Sequence, residues 1–387
     1  MTITFRNVRP LCGGVVRQLC NVTVEDGVIA RIGGAAAGRE IDGGGNILAA
    51  GYIDAHTHGG WGKDCMEPVQ ASIDTLAAYH LSAGVTAFVP TTMTAPAADI
   101  ARAVDNIRRY DSRYARILGV HLEGPFLSPK AAGAHPPRLL VDPIGEHADC
   151  VWDNLDLVRR VTLAPDRVGA AEFCREAVAR GVQVSLGHDC SIDDEIYACI
   201  DAGASSVTHM YNCTSRPSRR DNPHKHLGLT EVGLTDARIV CEVIADNRHV
   251  PDALFGMIYK LKGWQGICLV SDSLSVAGMP AGDYYIGAGE TKQQIRVEDG
   301  VAVLPSENTY AGSVTPVSTM AKRLHAAGYP AAECVSMATL VPARMLGLTD
   351  RGDIALGAVA DLNLLDDSLT VLRTYLAGEP ADAPVRA

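Results

Sequence analysis

The sequence is short of the features that mark membrane, secreted and nucleic-acid-binding chains. No uninterrupted apolar run reaches the ~18 residues of a membrane-spanning helix. Met1-Thr2-Ile3-Thr4-Phe5 leads directly into polar, strand-like sequence, with no signal-peptide pattern. Basic residues are in deficit, 34 Lys and Arg against 45 Asp and Glu for a net charge of -11, which argues against nucleic acid or an anionic membrane as partner. The 11 cysteines are scattered, odd in number and contain no C-x-x-C pair. Neither a disulfide framework nor a structural zinc site is therefore expected, and a reducing cytoplasm is the simplest setting.

What is present is ordinary globular sequence of 387 residues, 47% apolar and 20% charged. It is long enough for a large core, either as one barrel with a small satellite or as two comparable domains. Residues 1–50 read as short strands and turns. Asp26-Gly27 between Val22–Val24 and Val28–Ile32 predicts a hairpin, because a type I′ turn needs positive φ at both central positions. After Gly43-Gly44-Gly45 the pattern becomes strand, glycine or polar turn, helix, repeated.

Eight apolar strand candidates follow, at Gly51–Ala55, Val85–Pro90, Ile117–Leu122, Val161–Ala164, Val182–Leu186, Ser206–His209, Ile239–Ile244 and Ile267–Val270. Helix-like segments separate them, among them Ser72–Ser82, Ala97–Tyr110, Ala170–Arg180, Asp193–Ala202 and Pro251–Leu261. Continuous rather than alternating apolar strands fit a parallel sheet covered on both sides, and eight units in series predict an α/β fold, a (β/α)₈ barrel of the TIM type. A second hairpin signal, Asp299-Gly300, lies in a less regular stretch from 273 to 310. Helices return at Val317–Ala327 and Ala331–Leu340. Neither chain end has enough apolar residues for a core of its own. Residues 1–50 and 350–387 are therefore expected to pair as one small β-subdomain, a β-sandwich built from both ends, beside a barrel over 51–349.

Polar groups fall where barrel strands should end, which is where such barrels carry their chemistry. His56 and His58 follow the first candidate strand, Glu123 the third, His188 the fifth, His209 the sixth and Asp272 the eighth. Histidines at i and i+2 on an extended backbone share a face. Imidazole and carboxylate donors suit zinc, and also iron, manganese or cobalt, without ligand type choosing among them. A divalent ion in such a site activates water for attack on a carbonyl, with Asp272 as general base and later acid towards the leaving nitrogen. Taken singly, each residue could equally be a satisfied core histidine or a helix-capping carboxylate. Cys65, Cys190 and Cys213 lie close to these stretches and read as small packing residues rather than ligands or reactive thiols.

Taken together, Gly51-Tyr-Ile-Asp-Ala-His-Thr-His-Gly-Gly, His121-Leu-Glu-Gly-Pro-Phe-Leu-Ser-Pro, Gly133-Ala-His135, Gly187-His188, Thr208-His-Met-Tyr-Asn212, Val270-Ser-Asp272 and Ala311-Gly-Ser313 resemble the amidohydrolase superfamily. Within it they resemble the N-acetylglucosamine-6-phosphate deacetylases, colinearly over nearly the whole chain. The resemblance implies that Glu123, His188 and His209 hold a principal metal and that His56 and His58 build a second position which only some relatives retain, so one or two ions, zinc foremost. It implies that His135 polarises the substrate acyl carbonyl and that Asp272 is the catalytic carboxylate. Asn212, the backbone at Cys213, and His249 would hold sugar and phosphate, and Arg220 stands nearest the arginine that reaches the phosphate. The products would be acetate and an amino sugar, and a homodimer is implied.

Departures concentrate in the substrate loop. Cys213-Thr214-Ser215 stands where the family usually has Ala-Met, and the stretch from Arg216 to His226 carries four basic side chains and two histidines. That loop is either an anion clamp or a solvated loop with scattered charge. The alternative activity is hydrolysis of another amide: an N-acyl amino acid, a cyclic amide, or an unphosphorylated or galacto-configured N-acetyl sugar. A retired, purely metal-binding or regulatory descendant would have lost a ligand or the base, and none is missing.

Overall fold

The computed structural model describes residues 1–111, 113–219, 223–287, 291–305 and 309–384. Among them, eight parallel strands form the barrel: β1 (Tyr52–Thr57), β2 (Val85–Thr92), β3 (Val120–Glu123), β4 (Val158–Leu163), β5 (Gln183–Leu186), β6 (Ser206–Val207), β7 (Val240–Val243) and β8 (Ile267–Leu269). Each pairs with the next. Between β8 and β1 the ring is completed by loop hydrogen bonds, Asp272 N–H to His56 O and His58 N–H to Ser273 O, both 2.9 Å. All residues of β1 and β2 are buried, as expected of parallel strands covered on both faces. Pro90 has no N–H for the ladder, and the register of β2 against β1 shifts between Phe88 and Pro90.

Helices Gln70–Ser82, Ala97–Arg108, Ala170–Ala179, Asp193–Asp201, Asp252–Lys262 and Val317–Ala326 lie close to the predicted spans. Two regions differ. The helix expected over 331–340 is two short ones, Ala331–Ser336 and Leu340–Met345, with Pro342 in the first turn of the second, where its missing N–H costs least. Leu229–Thr235, after β6, is a further short helix that apolar periodicity did not mark.

Both chain ends contribute to one sheet. Thr2–Cys12 pairs with Cys20–Glu25, Arg39–Asp42 and Ile47–Ala50. Ile47–Ala50 pairs in turn with Leu362–Leu365, and that strand with Val371–Leu376. One apolar cluster joins the two ends, with Phe5, Val8 and Leu48 against Leu362 and Tyr375, and the Phe5 and Tyr375 rings meet edge-on at 4.8 Å. Asp26 and Gly27 both take positive φ, 48° and 82°, as a type I′ turn requires, and so do Asp299 and Gly300, at 49° and 78°.

The second of those turns belongs to an element that the sequence marks only by its hairpin. Strands Gly282–Ile286, Gln293–Glu298, Val301–Leu304 and Thr309–Gly312 form a separate antiparallel sheet with an apolar cluster of its own around Ile286, Ile295 and Leu304. The sheet is inserted after β8 and tied to it, since Ser313 N–H donates to Asp272 O at 2.9 Å and Leu274 N–H to Ser313 O at 3.0 Å.

Truncating Phe5, which is fully buried, removes a ring shared by the two ends. Phe5→Ala is expected to lower stability by about 3–5 kcal/mol, read as a drop in the denaturant midpoint. An unchanged midpoint would show that the small sheet does not unfold with the barrel.

Candidate active site

At the C-terminal mouth of the barrel the six residues converge on the Glu123 carboxylate. Its Oε1 lies 2.9 Å from His209 Nε2 and 3.3 Å from His188 Nε2. Its Oε2 lies 3.1 Å from His58 Nε2 and 3.3 Å from His56 Nε2. Asp272 Oδ1 closes the second group at 3.2 Å from His58 Nε2 and 3.5 Å from His56 Nε2. The result is two ligand groups, Glu123-His188-His209 and His56-His58-Asp272, with one oxygen of Glu123 facing each. β1 runs on to Thr57, so His56 lies within the strand and His58 is the first residue beyond it. A Cβ on Gly59 would come within 2.4 Å of Lys63 O and 2.6 Å of Ser275 N, so the residue after the His-x-His pair must be glycine for the chain to pass. His188, His209 and Asp272 all have positive φ, the kind of strained backbone that gathers at functional sites.

The outward ring nitrogens set the tautomers. His58 Nδ1 lies 2.8 Å from Thr91 O, His188 Nδ1 2.8 Å from Ala131 O, and His209 Nδ1 3.1 Å from Asn212 O. A carbonyl only accepts, so each Nδ1 carries the hydrogen and each Nε2 turns a lone pair inward. His135 has the opposite arrangement. Thr94 N–H donates to its Nδ1 at 3.3 Å, so its Nε2, 3.6 Å from Glu123 Oε2, carries a hydrogen. Four histidines thus offer or can offer ligand nitrogens, and the fifth offers a hydrogen-bond donor.

Charge follows the same plan. Burial opposes ionisation of Glu123, yet His56, His135, His188 and His209 outweigh it and hold its pKa well below the ordinary carboxylate range. Burial likewise opposes a charge on His58, and without an ion Asp272 and Glu123 outweigh it, raising its pKa well above the usual imidazole value, so an ion binding there would displace a proton from Nε2 to free the inward lone pair. Burial dominates at His135 and takes its pKa down to about 4, so it is neutral at physiological pH. His56 Nε2 is buried and has no hydrogen-bond partner. An orphaned inward nitrogen among imidazoles and carboxylates fits a divalent cation of the zinc, iron, manganese or cobalt type.

Two residues that sequence reasoning missed stand behind this cluster. Glu242, on β7, places Oε2 3.2 Å from His56 Nδ1, and its other oxygen pairs with Arg160. Both side chains are fully buried. Arg160 also donates to Gln183 Oε1 at 2.7 Å, Ala55 O at 3.2 Å and Ser206 Oγ at 3.2 Å. Burial lowers its pKa only to about 10, so it remains a cation. The available signal was a charge inside each of two apolar strands, Val-Arg-Arg-Val and Val-Cys-Glu-Val, since unpaired charges are almost never fully buried.

The expected substrate positions lie on the β6 and β7 side. Asn212 donates through Nδ2 to His209 O and Met210 O, both at 3.2 Å, so its side chain shapes the turn that carries His209. Cys213 borders His188: a Cβ added to Gly133 would be 3.1 Å from the thiol sulfur and 3.3 Å from His188 Cε1. His249 is held by Asp246 at 2.7 Å and meets the Tyr310 ring at 4.9 Å with the planes tilted by 48°, with Nε2 buried and unpartnered. Arg220 lies outside the described residues. Of the basic loop, Arg216, Arg219 and Lys225 are exposed, while His226 anchors its end by a 2.8 Å bond to Asp193 at the start of the helix after β5.

The sequence profile of the Amidohydrolase family matches residues 47–381. The chain is 34% identical to the N-acetylgalactosamine-6-phosphate deacetylase of Escherichia coli O157:H7, over 87% of this chain and 88% of that one. It is 32% identical to the N-acetylglucosamine-6-phosphate deacetylase of Vibrio furnissii, over 97% and 94%. Among solved structures, a mutant of the N-acetyl-D-glucosamine-6-phosphate deacetylase of Mycobacterium smegmatis in complex with N-acetyl-D-glucosamine-6-phosphate superposes with a TM-score of 0.87 at 31% identity, over 98% of both chains.

The contact between Glu242 and His56 predicts a selective defect. Glu242→Gln should weaken binding of an ion at the His56-His58 position by about 10–100-fold and leave the Glu123-His188-His209 position filled, as measured by metal titration against a chelator with circular dichroism as the check on folding. Unaltered affinity at both positions would mean that His56 needs no carboxylate behind it.

Proposed function

Since the chain belongs to the amidohydrolase family, we propose that it is a metal-dependent deacetylase that hydrolyses the N-acetyl group of N-acetylglucosamine 6-phosphate or a close analogue, giving acetate and the amino sugar. The observation that carries this reading is the division of labour around Glu123: inward lone pairs on the ligand histidines, an inward N–H on His135, and Asp272 beside His58. A divalent ion at Glu123, His188 and His209, with zinc the first choice and a second ion between His56 and His58, would polarise the acyl carbonyl and activate water.

The chain's own residues do the rest. His135 donates its Nε2 hydrogen to the acyl oxygen, and being neutral it does so without neutralising Glu123. Asp272 takes the proton from the attacking water and passes it to the leaving nitrogen. Its pKa lies below the ordinary value despite burial, because His58 and His56 favour the carboxylate, so it is ready as a base at neutral pH. On the β6–β7 wall, the free His249 Nε2 and the main chain beyond Asn212 receive the sugar and its phosphate. Arg220 completes the anion site, across a homodimer as the resemblance implies. The 11 cysteines, none of them disulfide-bonded, support a cytoplasmic setting.

The similarity to an N-acetylgalactosamine-6-phosphate deacetylase, 34% identical, favours the galacto epimer as the second reading. Acetate release from the two epimers, with and without the phosphate, decides between them; a metal-loaded protein inert on all four would sink the deacetylase assignment. Asp272→Asn should lower kcat by about 10²–10⁴-fold while the ion at Glu123, His188 and His209 stays bound. Near-normal turnover in that variant would remove Asp272 from its role.

A further inference from the structure

A cleft of ≈ 400 Å³ opens from the ligand cluster on the side of β1, β2 and β8, across the barrel from the β6–β7 wall assigned to the sugar. It meets the reacting centre at three points: His58; Thr94, which holds His135 Nδ1 at 2.9 Å; and Ala134, the neighbour of His135 in the chain. An amide whose carbonyl oxygen lies at His135 and whose nitrogen side points to His249 must direct its acyl substituent into this cleft. A methyl group needs only about the volume of one water, roughly 30 Å³. The cleft is therefore far larger than an acetyl group requires.

Its walls are apolar and built rather than accidental. Met66, Met93, Ala95, Leu274 and Ile286 line it. The last two are buried members of the inserted sheet's own core, and Gln293 of that sheet donates to Ala134 O at 2.7 Å. The roof of the cleft is thus held by packing and by a hydrogen bond. Its rim carries carboxylates, Asp64, Glu67 and Asp99, and the Arg102 guanidinium there is already paired with Asp99. A neutral chain suits this surface, and a second negative charge does not.

Resting on the deacetylase reading, we propose that this enzyme also removes longer neutral acyl groups, of about three to six carbons, from the amino group of its amino-sugar phosphate, with the chain lying in the cleft beneath the inserted sheet. The reaction is the same hydrolysis. The water oxygen bonds to the acyl carbon, the C–N bond breaks, the nitrogen takes the proton carried by Asp272, and a short-chain carboxylate leaves in place of acetate.

The test compares kcat/KM of the metal-loaded enzyme on the N-acetyl, N-butanoyl and N-succinyl derivatives of glucosamine 6-phosphate, by release of each acid. The N-butanoyl value is expected within tenfold of the N-acetyl value and the N-succinyl value at least 100-fold below it. Ala95→Phe, which narrows the cleft away from the ligands, should cut the butanoyl-to-acetyl ratio at least tenfold. A wild-type butanoyl deficit beyond tenfold overturns the proposal while good acetyl turnover leaves the deacetylase reading standing. A ratio unmoved in a folded Ala95→Phe variant overturns the cleft as the acyl site, and inactivity on all three substrates falls on the deacetylase reading itself.

Discussion

The mouth of this barrel depends on one buried carboxylate. Glu123 is withdrawn from water and still ionised, a state that persists only because five imidazoles surround it. Its two oxygens face different groups, Oε1 towards His188 and His209 and Oε2 towards His56 and His58, so one carboxylate would serve both candidate ion positions. The candidate ligand histidines sit on β1 or just beyond the ends of β1, β5 and β6, which lie within reach of the end of β3.

A dense cluster of this kind needs an outer layer that fixes which nitrogen faces inward. Three of the candidate ligand histidines obtain this from main-chain carbonyls, those of Thr91 near the end of β2 and of Ala131 and Asn212 in the loops after β3 and β6. His56 is the exception, being inside the strand and surrounded by barrel interior. Its Nδ1 faces a side chain, Glu242, whose charge demands Arg160, whose guanidinium in turn needs Ala55, Gln183 and Ser206. One candidate ligand placed two residues deeper than His58 thus draws in a buried network across five strands. Replacing that network by apolar residues would be neutral or better for stability; its presence is intelligible as support for the second ion position.

Much of this was legible in the sequence, for physical reasons. Strands buried on both faces are largely apolar, so the barrel showed as eight runs, and the chemistry of parallel barrels collects at strand ends, so the histidines and carboxylates at the ends of five of those runs were informative. The two Asp-Gly turns were legible because few residues accept positive φ. What escaped was nonlocal. Nothing near Glu242 or Arg160 reveals that two charges on different strands meet inside the barrel, and only the improbability of a lone buried charge hinted at it. The role of Thr94 rests on a loop-to-loop bond to a residue 41 positions away. The inserted sheet was visible only at its turn, because its strands are short and half exposed and lack the continuous apolar pattern of the barrel.

That inserted sheet also bears on the placement of the candidate base. Asp272 is held on both sides by main-chain bonds, its N–H to His56 O of β1 and its carbonyl from Ser313 N–H at the end of the insert. Gly312, just before that contact, has φ of 146° and leaves no room for a Cβ beside Leu274. The Asp272 backbone, at φ of 46°, is thus kept in a strained conformation by two partners that lie outside its own strand. Loss of the insert would not remove any ligand, yet it would release one of the two clamps on the base and open the roof over the β1–β2 side together. Position of the carboxylate and shape of the acyl side are therefore set by the same element, which ties what the site can do to what it can admit.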